Sequence, residues 1–197
     1  MNWDARYSEP GYAYGTAPND FLREMAGRIP RGPVLCLAEG EGRNAVFLAE
    51  LGHAVTAVDA SAVGLAKAAT LARARAVGLA TVHTDLADFD IQEGAWAGIV
   101  TVFAHLPPAL RARLHTAVVK GLRPGGVYLL EAYTPQQLAF GTGGPPDVSL
   151  LMTADALRQE LAGLELEICR EVERDVVEGR FHSGRAAVVQ VLGRRPA

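Results

Sequence analysis

Short runs of apolar residues alternate along the chain with longer segments in which apolar residues recur every three or four positions. The short, continuously apolar runs predict strands over residues 34–38, 54–58, 80–84, 97–103 and 127–132. The longer segments predict helices over residues 18–28, 44–51, 61–78, 107–120 and 153–162. This alternation predicts an α/β fold with a mainly parallel sheet covered by helices on both faces.

Two further strand-like runs, 164–176 and 185–192, follow the last predicted helix. The turn at 178–184 that joins them is short, so the two strands are expected to pair antiparallel. The stretch 140–147 carries three glycines and two prolines, which predicts a loop. The predicted order is therefore five strand–helix units followed by an antiparallel hairpin.

Composition narrows the class of protein. The chain has 197 residues and a net charge of −3, which fits one domain without a general attraction to nucleic acid. Its two cysteines do not form a disulfide framework. No apolar run approaches the roughly 20 residues that span a bilayer, and the first residues carry no apolar signal region. We expect a soluble cytoplasmic protein, monomeric or homodimeric, with no membrane partner and no metal site.

The loop Gly40-Glu41-Gly42 joins the first predicted strand to a helix. Glycine allows a sharp turn and a close ligand, and the free N–H groups of the next helix suit a phosphate or a carboxylate. Asp59 falls at the end of the second predicted strand, 19 residues after Gly40. A carboxylate there can accept hydrogen bonds from both hydroxyls of a ribose.

A nicotinamide cofactor fits the same loop, because Gly40, Gly42 and Ala45 satisfy the G-x-G-x-x-G/A pattern. Two features weigh against a dehydrogenase. The chain contains no Tyr-x-x-x-Lys pair, and it ends in a predicted antiparallel hairpin. An NAD(P)-dependent oxidoreductase stays open as an alternative, as does a non-catalytic adenosylmethionine-binding protein.

The run 34–44, VLCLAEGEGRN, resembles the V-L-D-L-G-C-G-x-G-R-N pattern of class I S-adenosylmethionine-dependent methyltransferases. The start of the chain, with Trp3-Asp4-Ala5-Arg6-Tyr7, Tyr14-Gly15 and Pro18-Asn19, is similar to the tellurite-resistance (TehB-like) type, especially its small bacterial members. The resemblance implies a three-layer, Rossmann-like fold with a mostly parallel seven-stranded sheet. It also implies a single methyltransferase domain over residues 1–197, whose segment 1–30 covers the cofactor or the substrate.

The resemblance implies ten residues that bind S-adenosylmethionine: Tyr14, Glu39, Gly40, Gly42, Arg43, Asp59, Ala60, Asp85, Leu86 and Phe103. Among them, Asp85 follows the third strand and is expected to bind the adenine amino group. Tyr14 and Arg43 are expected at the carboxylate end of the cofactor. The chain departs from the pattern at Cys36, where an acidic residue is usual, and at Ala97. Glu39 either binds the cofactor's amino group or is a solvent-facing loop charge.

A methyl acceptor is expected at the same sheet edge. His105 follows the fourth predicted strand and could act as a general base or orient the substrate. Four further residues are expected to line the acceptor site: Arg6, Tyr7, Glu131 and Tyr133. His182 is expected in the hairpin turn, which either reaches over the site or is solvated. His115 is expected to be exposed in the middle of a helix. The predicted reaction methylates a small acceptor, such as a tellurite- or selenite-like oxyanion or a thiol, and releases S-adenosylhomocysteine.

Overall fold

A computed structural model describes residues 2–197 of the chain. The strands are β1 (Pro33–Leu37), β2 (Ala54–Asp59), β3 (Ala80–His83), β4 (Trp96–Val102), β5 (Leu122–Tyr133), β6 (Glu165–Glu178) and β7 (His182–Arg194). The α-helices are α1 (Trp3–Tyr7), α2 (Asp20–Met25), α3 (Arg43–Glu50), α4 (Ala62–Ala74), α5 (Pro108–Gly121) and α6 (Ala154–Glu160). Short 3₁₀ turns lie at Ala26–Arg28, Pro135–Ala139 and Val148–Leu150.

The seven strands form one sheet in the order β3-β2-β1-β4-β5-β7-β6. Strands β1 to β5 are parallel, whereas β7 pairs antiparallel with both β5 and β6. This arrangement confirms the predicted mostly parallel seven-stranded sheet with a terminal antiparallel hairpin.

Alternate residues of each strand face opposite layers, as strand geometry requires. In β1, Leu35 and Leu37 pack in the core that α5 and α6 cover. Val34 and Cys36 pack in the other core, together with residues of α2 and α3. Cys36 is therefore buried, and burial raises the pKa of its thiol well above the ordinary value. The residue that replaces the usual acidic side chain contributes packing and no charge.

The structure differs from the predicted order in three places. No helix follows β3, because residues 84–95 connect it to β4 by irregular turns, so the prediction of five strand–helix units is wrong. Strand β5 begins at Leu122, ahead of the predicted strand 127–132, and a register shift between Trp96 and Gly98 accommodates the added residues. Helix α1 was not predicted, and it begins where the Asn2 side chain accepts a hydrogen bond from the backbone N–H of Ala5.

Strands β1 and β4 are neighbours, and the chain leaves them toward opposite sides of the sheet, so their carboxyl ends form the switch point where open α/β sheets bind ligands. Each strand is followed there by a non-glycine residue in the left-handed region, Ala38 with φ of 52° and Phe103 with φ of 54°. Such backbone strain is concentrated at functional sites. The carboxyl edge near β1 and β4 is therefore the place to look for a site.

Candidate functional site

The glycine loop is held by close packing on both sides. Gly40 and Gly42 have positive φ angles of 62° and 90°. A Cβ atom on Gly40 would stand 2.5 Å from the Tyr7 hydroxyl oxygen, and one on Gly42 would stand 2.5 Å from the Cβ of Ala68. Larger residues are therefore excluded by the N-terminal segment and by α4 as well as by the backbone conformation.

Asp59 ties the end of β2 to the glycine loop. Its carboxylate accepts hydrogen bonds from the backbone N–H groups of Gly40 and Ser61, both at 2.8 Å. Burial raises the pKa of this carboxyl, and these two hydrogen bonds partly oppose the shift. Ala60, next in the chain, lies at the same edge, where its carbonyl oxygen is 3.1 Å from Nε2 of His83.

Glu39 turns inward onto the start of α3. Its Oε1 accepts hydrogen bonds from the backbone N–H groups of Asn44 at 2.9 Å and Ala45 at 2.8 Å. Burial raises its pKa to about 7 despite these bonds and the nearby charge of Arg43. The structure therefore excludes a purely solvent-facing charge at this position. The N–H groups at the start of α3, which the sequence suggested as a site for an anionic ligand, donate to this carboxylate instead.

The N-terminal segment covers the loop. The Asp4 carboxylate accepts hydrogen bonds from the Ser61 hydroxyl and, at 3.4 Å, from the backbone N–H of Val63 at the start of α4. The ring of Tyr7 is buried between Gly40 and Gly64, so that a Cβ on Gly64 would lie 2.9 Å from it. The Tyr7 ring packs against the glycine loop and lies edge-on to Tyr14, with the ring centroids 6.4 Å apart. Its predicted place in the acceptor site stays a prediction.

The segment after β3 lies at the same edge of the sheet. Asp85 is exposed, and its Oδ1 accepts a hydrogen bond from the backbone N–H of Ala87 at 2.8 Å. Leu86 is buried and packs into the core next to β1. The exposed carboxylate beside an apolar side chain is compatible with the predicted adenine contact, which stays a prediction.

Five aromatic rings meet beside the loop and are called here the acceptor cluster: Tyr14, Phe103, His105, Tyr133 and His182. The ring centroids of Phe103 lie 4.5 Å from Tyr133 and 4.7 Å from His182. His182 also lies 4.5 Å from Tyr14, and His105 stacks on Tyr133 at 5.5 Å. The N-terminal segment, the ends of β4 and β5, and the start of β7 thus converge on one place.

Three buried polar atoms of the acceptor cluster have no hydrogen-bond partner: Nε2 of His105, the hydroxyl of Tyr133 and Nδ1 of His182. Unpaired buried polar groups are costly in folded proteins, and a bound ligand satisfies them. Nδ1 of His105 lies 3.3 Å from the carbonyl oxygen of Leu150, which can only accept. That nitrogen therefore carries the proton, and Nε2 presents its lone pair toward the cluster.

The solvated-turn alternative for His182 and the prediction for His115 are wrong. His182 is the first residue of β7 and is only 9% exposed, instead of lying in a solvated turn. His115 is 2% exposed, and its Nδ1 lies 2.7 Å from Oε2 of Glu160. The periodicity of α5 does not show that α6 packs against it near His115. The sequence therefore gave no signal that His115 is buried.

A buried ionic network lies behind the acceptor cluster and is called here the Glu178 network. It contains Asn19, Arg43, Glu131, Arg174, Glu178 and Gln190. Arg43 donates to Oε2 of Glu178 at 2.6 Å, and the amide of Asn19 donates to Oε1 of Glu178 at 2.8 Å. Arg174 pairs with both Glu131 and Glu178.

This network bears on the predictions for Glu131 and Arg43. Glu131 is fully buried and accepts hydrogen bonds from Asn19, Arg174 and Gln190, so it does not line an open acceptor site. Arg43 is engaged by Glu178. Arg6, by contrast, stands at the rim of the cluster, 4.1 Å from the centroid of the Phe181 ring, and donates to the hydroxyl of Tyr14 at 3.3 Å.

Sequence reasoning missed Glu178 and Arg174 as site residues. The only available signal was their place in or near the predicted hairpin turn, since the carboxyl edge of the sheet lies at that end. Within residues 2–197, no helix is long and apolar enough to cross a membrane. The same residues contain no group of three His, Cys, Asp or Glu that could hold a metal ion.

Residues 34–126 match the family model described as a methyltransferase domain. The chain is 28% identical over 147 residues to the 2-heptyl-1-hydroxyquinolin-4(1H)-one methyltransferase of Mycobacteroides abscessus, covering 72% of this chain and 64% of that protein. The chain thus spans less than two thirds of the length of this relative.

Solved structures share the fold. One structure comes from work on the conversion of a disulfide bond into a thioacetal group during echinomycin biosynthesis. It has 23% identity and a TM-score of 0.80, and the match covers 98% of this chain and 90% of that one. TehB from Haemophilus influenzae has 19% identity and a TM-score of 0.75, with coverage of 98% and 65%. A SAM-dependent methyltransferase from Methanosarcina mazei has 16% identity and a TM-score of 0.71, with coverage of 88% and 97%.

These likenesses confirm the predicted class I methyltransferase fold. The domain match over residues 34–126 agrees with the predicted enzyme class. The likeness to TehB shows the fold, and the narrower TehB-like type stays a prediction.

Proposed function

Because residues 34–126 match a methyltransferase domain, we propose that residues 1–197 form one domain that transfers methyl from S-adenosylmethionine to a small acceptor. The observation that carries the proposal is the carboxylate of Glu39 on the first N–H groups of α3. A dinucleotide cofactor places its pyrophosphate on those N–H groups, where it would meet this carboxylate. A cofactor with an ammonium group meets a favourable charge there instead.

The donor set at this edge fits S-adenosylmethionine, which supplies a methyl group already activated on a sulfonium sulfur. Asp59 presents acceptor oxygens for the ribose hydroxyls, and Glu39 presents a carboxylate for the ammonium group. We propose the remaining predicted contacts, from Tyr14, Gly40, Gly42, Arg43, Ala60, Asp85, Leu86 and Phe103, as the rest of the cofactor site.

The protein's own contribution is positioning and exclusion of water. Orienting two reactants can supply about 7–11 kcal/mol of the barrier. The N-terminal segment, anchored by Asp4 and Tyr7, covers the loop, and the acceptor cluster closes the adjoining space. His105 holds an acceptor hydroxyl or thiol through the lone pair on Nε2, because burial lowers the pKa of His105 to about 4 and keeps it neutral.

The acceptor cluster favours a flat, largely apolar acceptor with one ionisable O–H or S–H group. Burial raises the pKa of Tyr133, so the hydroxyl of this residue stays neutral. The activity named for the relative from Mycobacteroides abscessus, on a hydroxyquinolone, supports an acceptor of this shape. A tellurite- or selenite-like oxyanion is the second candidate, because Arg6 places a guanidinium at the rim.

Binding of the cofactor is tested by calorimetry with S-adenosylhomocysteine and, separately, NADH. We expect the first ligand to bind and NADH not to bind. Asp59→Asn should abolish binding, whereas Asp88→Asn, which alters an exposed acidic residue after β3, should leave it unchanged. Binding of NADH without S-adenosylhomocysteine would contradict the proposal.

The acceptor is tested with a panel of 2-heptyl-1-hydroxyquinolin-4(1H)-one, thiophenol, tellurite and selenite, with release of S-adenosylhomocysteine as the signal. We expect the two aromatic acceptors, the hydroxyquinolone and thiophenol, to react faster than tellurite and selenite. Tight cofactor binding without turnover on any acceptor would support a non-catalytic binding protein instead.

We also propose that the protein works in the cytoplasm as a monomer or homodimer, without nucleic-acid or membrane partners. The net charge of −3 supports the first exclusion. Light scattering of the purified protein, with and without DNA and RNA, tests the mass and the absence of a complex.

A further inference from the structure

Glu178 and His182 face each other across the terminal hairpin. They are register partners in the β6–β7 pair, and Oε2 of Glu178 lies 3.9 Å from Nδ1 of His182. A carboxylate can only accept a hydrogen bond, so the nitrogen nearest to it is the one that carries the proton. His182 then presents the lone pair of Nε2 to the acceptor cluster.

The carboxylate of Glu178 is fixed in place. Arg43, Asn19 and Arg174 all donate to it, and its side chain is 4% exposed. The distance of 3.9 Å is longer than a hydrogen bond. Catalytic contacts of this kind are often long before the substrate binds, and a small rotation of the imidazole closes them.

His105 lacks such support. Its Nδ1 faces the backbone carbonyl of Leu150, and burial lowers its pKa to about 4. A protonated His105 would stand next to His182 and Arg111, which oppose the added charge. His182 is also buried, which lowers its pKa, but Glu178 opposes that shift. The other charged or titratable groups near His182 are Arg6, Tyr14, Arg43, His105 and Tyr133.

We propose that His182 is the general base that takes the acceptor's proton, and that Glu178 is its positioning residue. This inference rests on the proposed methyl transfer. The O–H or S–H bond of the acceptor breaks, its electron pair stays on the oxygen or sulfur, and the proton forms an N–H bond at Nε2 of His182. The imidazolium then returns one proton to solvent per turnover.

The pair is tested without cofactor or acceptor by NMR of ¹⁵N-histidine-labelled protein. The chain has five histidines, and His182→Gln assigns the signal of His182. We expect neutral His182 to carry its proton on Nδ1. This result is observed in the parent protein and needs no variant besides the one used for assignment. Glu178→Gln should shift the titration of His182 to lower pH, and Glu178→Asp should restore it.

The matched control is Glu160→Gln, which should move the signal of His115 and leave that of His182 unchanged. A proton on Nε2 of neutral His182 would overturn the proposal. An unchanged titration of His182 in Glu178→Gln would overturn it as well.

A kinetic readout uses the member of the acceptor panel that reacts fastest. His182→Gln should lower kcat about 100-fold or more at neutral pH, since general bases contribute about 10²- to 10⁴-fold. The loss should shrink at pH values where the acceptor is already ionised. His105→Gln should raise the acceptor's KM more than it lowers kcat.

A loss of kcat smaller than about tenfold in His182→Gln would overturn the role of the base. Failure of the proposed function is distinguishable, because it appears as absent binding of S-adenosylhomocysteine while the NMR result is unaffected.

Discussion

Two carboxylates, the half-buried Glu160 and the buried Glu178, each have arginine and histidine partners, but the two histidines lie at different distances from them. Glu160 accepts from Arg111 at 2.8 and 3.1 Å and lies 2.7 Å from Nδ1 of His115. Glu178 is held by Arg43 and Arg174, but its histidine stands at 3.9 Å. Burial opposes the ionisation of both carboxyls, and in both the histidine and arginine partners outweigh it and lower the pKa to about 2.

The difference separates a structural cluster from a functional one. The Glu160 cluster joins α5 to α6 and leaves none of its own nitrogens among the unpaired buried atoms. The Glu178 network leaves Nδ1 of His182 unpaired beside two further unpaired polar atoms. Deviations from full pairing in a folded protein are expected at functional sites.

The largest loss of stability is expected for Glu178→Ala, which leaves Arg43 and Arg174 without their ionic partner. Removing one partner of a buried ion pair costs about 3–5 kcal/mol of stability. Glu160→Ala should cost less, because the Glu160 side chain is 16% exposed and water screens the arginine left behind. Urea unfolding of both variants measures the difference, and equal losses would remove the distinction between the clusters.

The next effect is the dependence of stability on pH. A carboxyl whose pKa is lowered by folding stabilises the protein above its unfolded pKa of 4.5, and this stabilisation is lost as pH falls toward about 2. For Glu160 the loss is at most about 3 kcal/mol. Urea unfolding between pH 6 and 3 should show the decline, and Glu160→Gln should flatten it. A variant with the same slope as the parent would contradict this assignment.

A smaller loss of stability distinguishes substitution of His115 from substitution of His182. His115→Gln breaks a hydrogen bond to a charged group, and such a loss costs about 1.5–3 kcal/mol. His182→Gln breaks no hydrogen bond at Nδ1 and should cost under about 1 kcal/mol while it removes activity. Thermal unfolding beside a methyl-transfer assay tests the pair. A larger loss of stability in His182→Gln would indicate a mainly structural role.

The last effect concerns Glu39, a carboxylate that caps a helix without a cation bonded to it. Because folding raises its pKa to about 7, the native state binds this proton more tightly, and stability falls as pH rises from 4.5 to about 7. Glu39→Gln should remove this slope and stabilise the cofactor-free protein by at most about 3 kcal/mol at pH 8. Weaker binding of S-adenosylhomocysteine in this variant would support its contact with the cofactor.

The local features of the site were accessible from the sequence. Gly40, Gly42 and Asp59 stand at the ends of strands that short apolar runs reveal, and parallel strands bring such ends to one edge. The inward turn of Glu39 was not accessible, since the sequence offers no information on which backbone N–H groups a loop carboxylate reaches. The count of five strand–helix units was one too many, because the pattern predicts no helix between residues 84 and 97.

By itself, the sequence determined the order of the strands, the terminal hairpin and the position of the glycine loop, because each depends on periodicity and spacing within a short segment. Only the tertiary structure decided the acceptor cluster and the Glu178 network. Asn19, Arg43 and Glu178 come from distant parts of the chain, and the β6–β7 register alone sets Glu178 opposite His182. A slip of β7 by one residue would turn His182 to the other face of the sheet and separate it from Glu178.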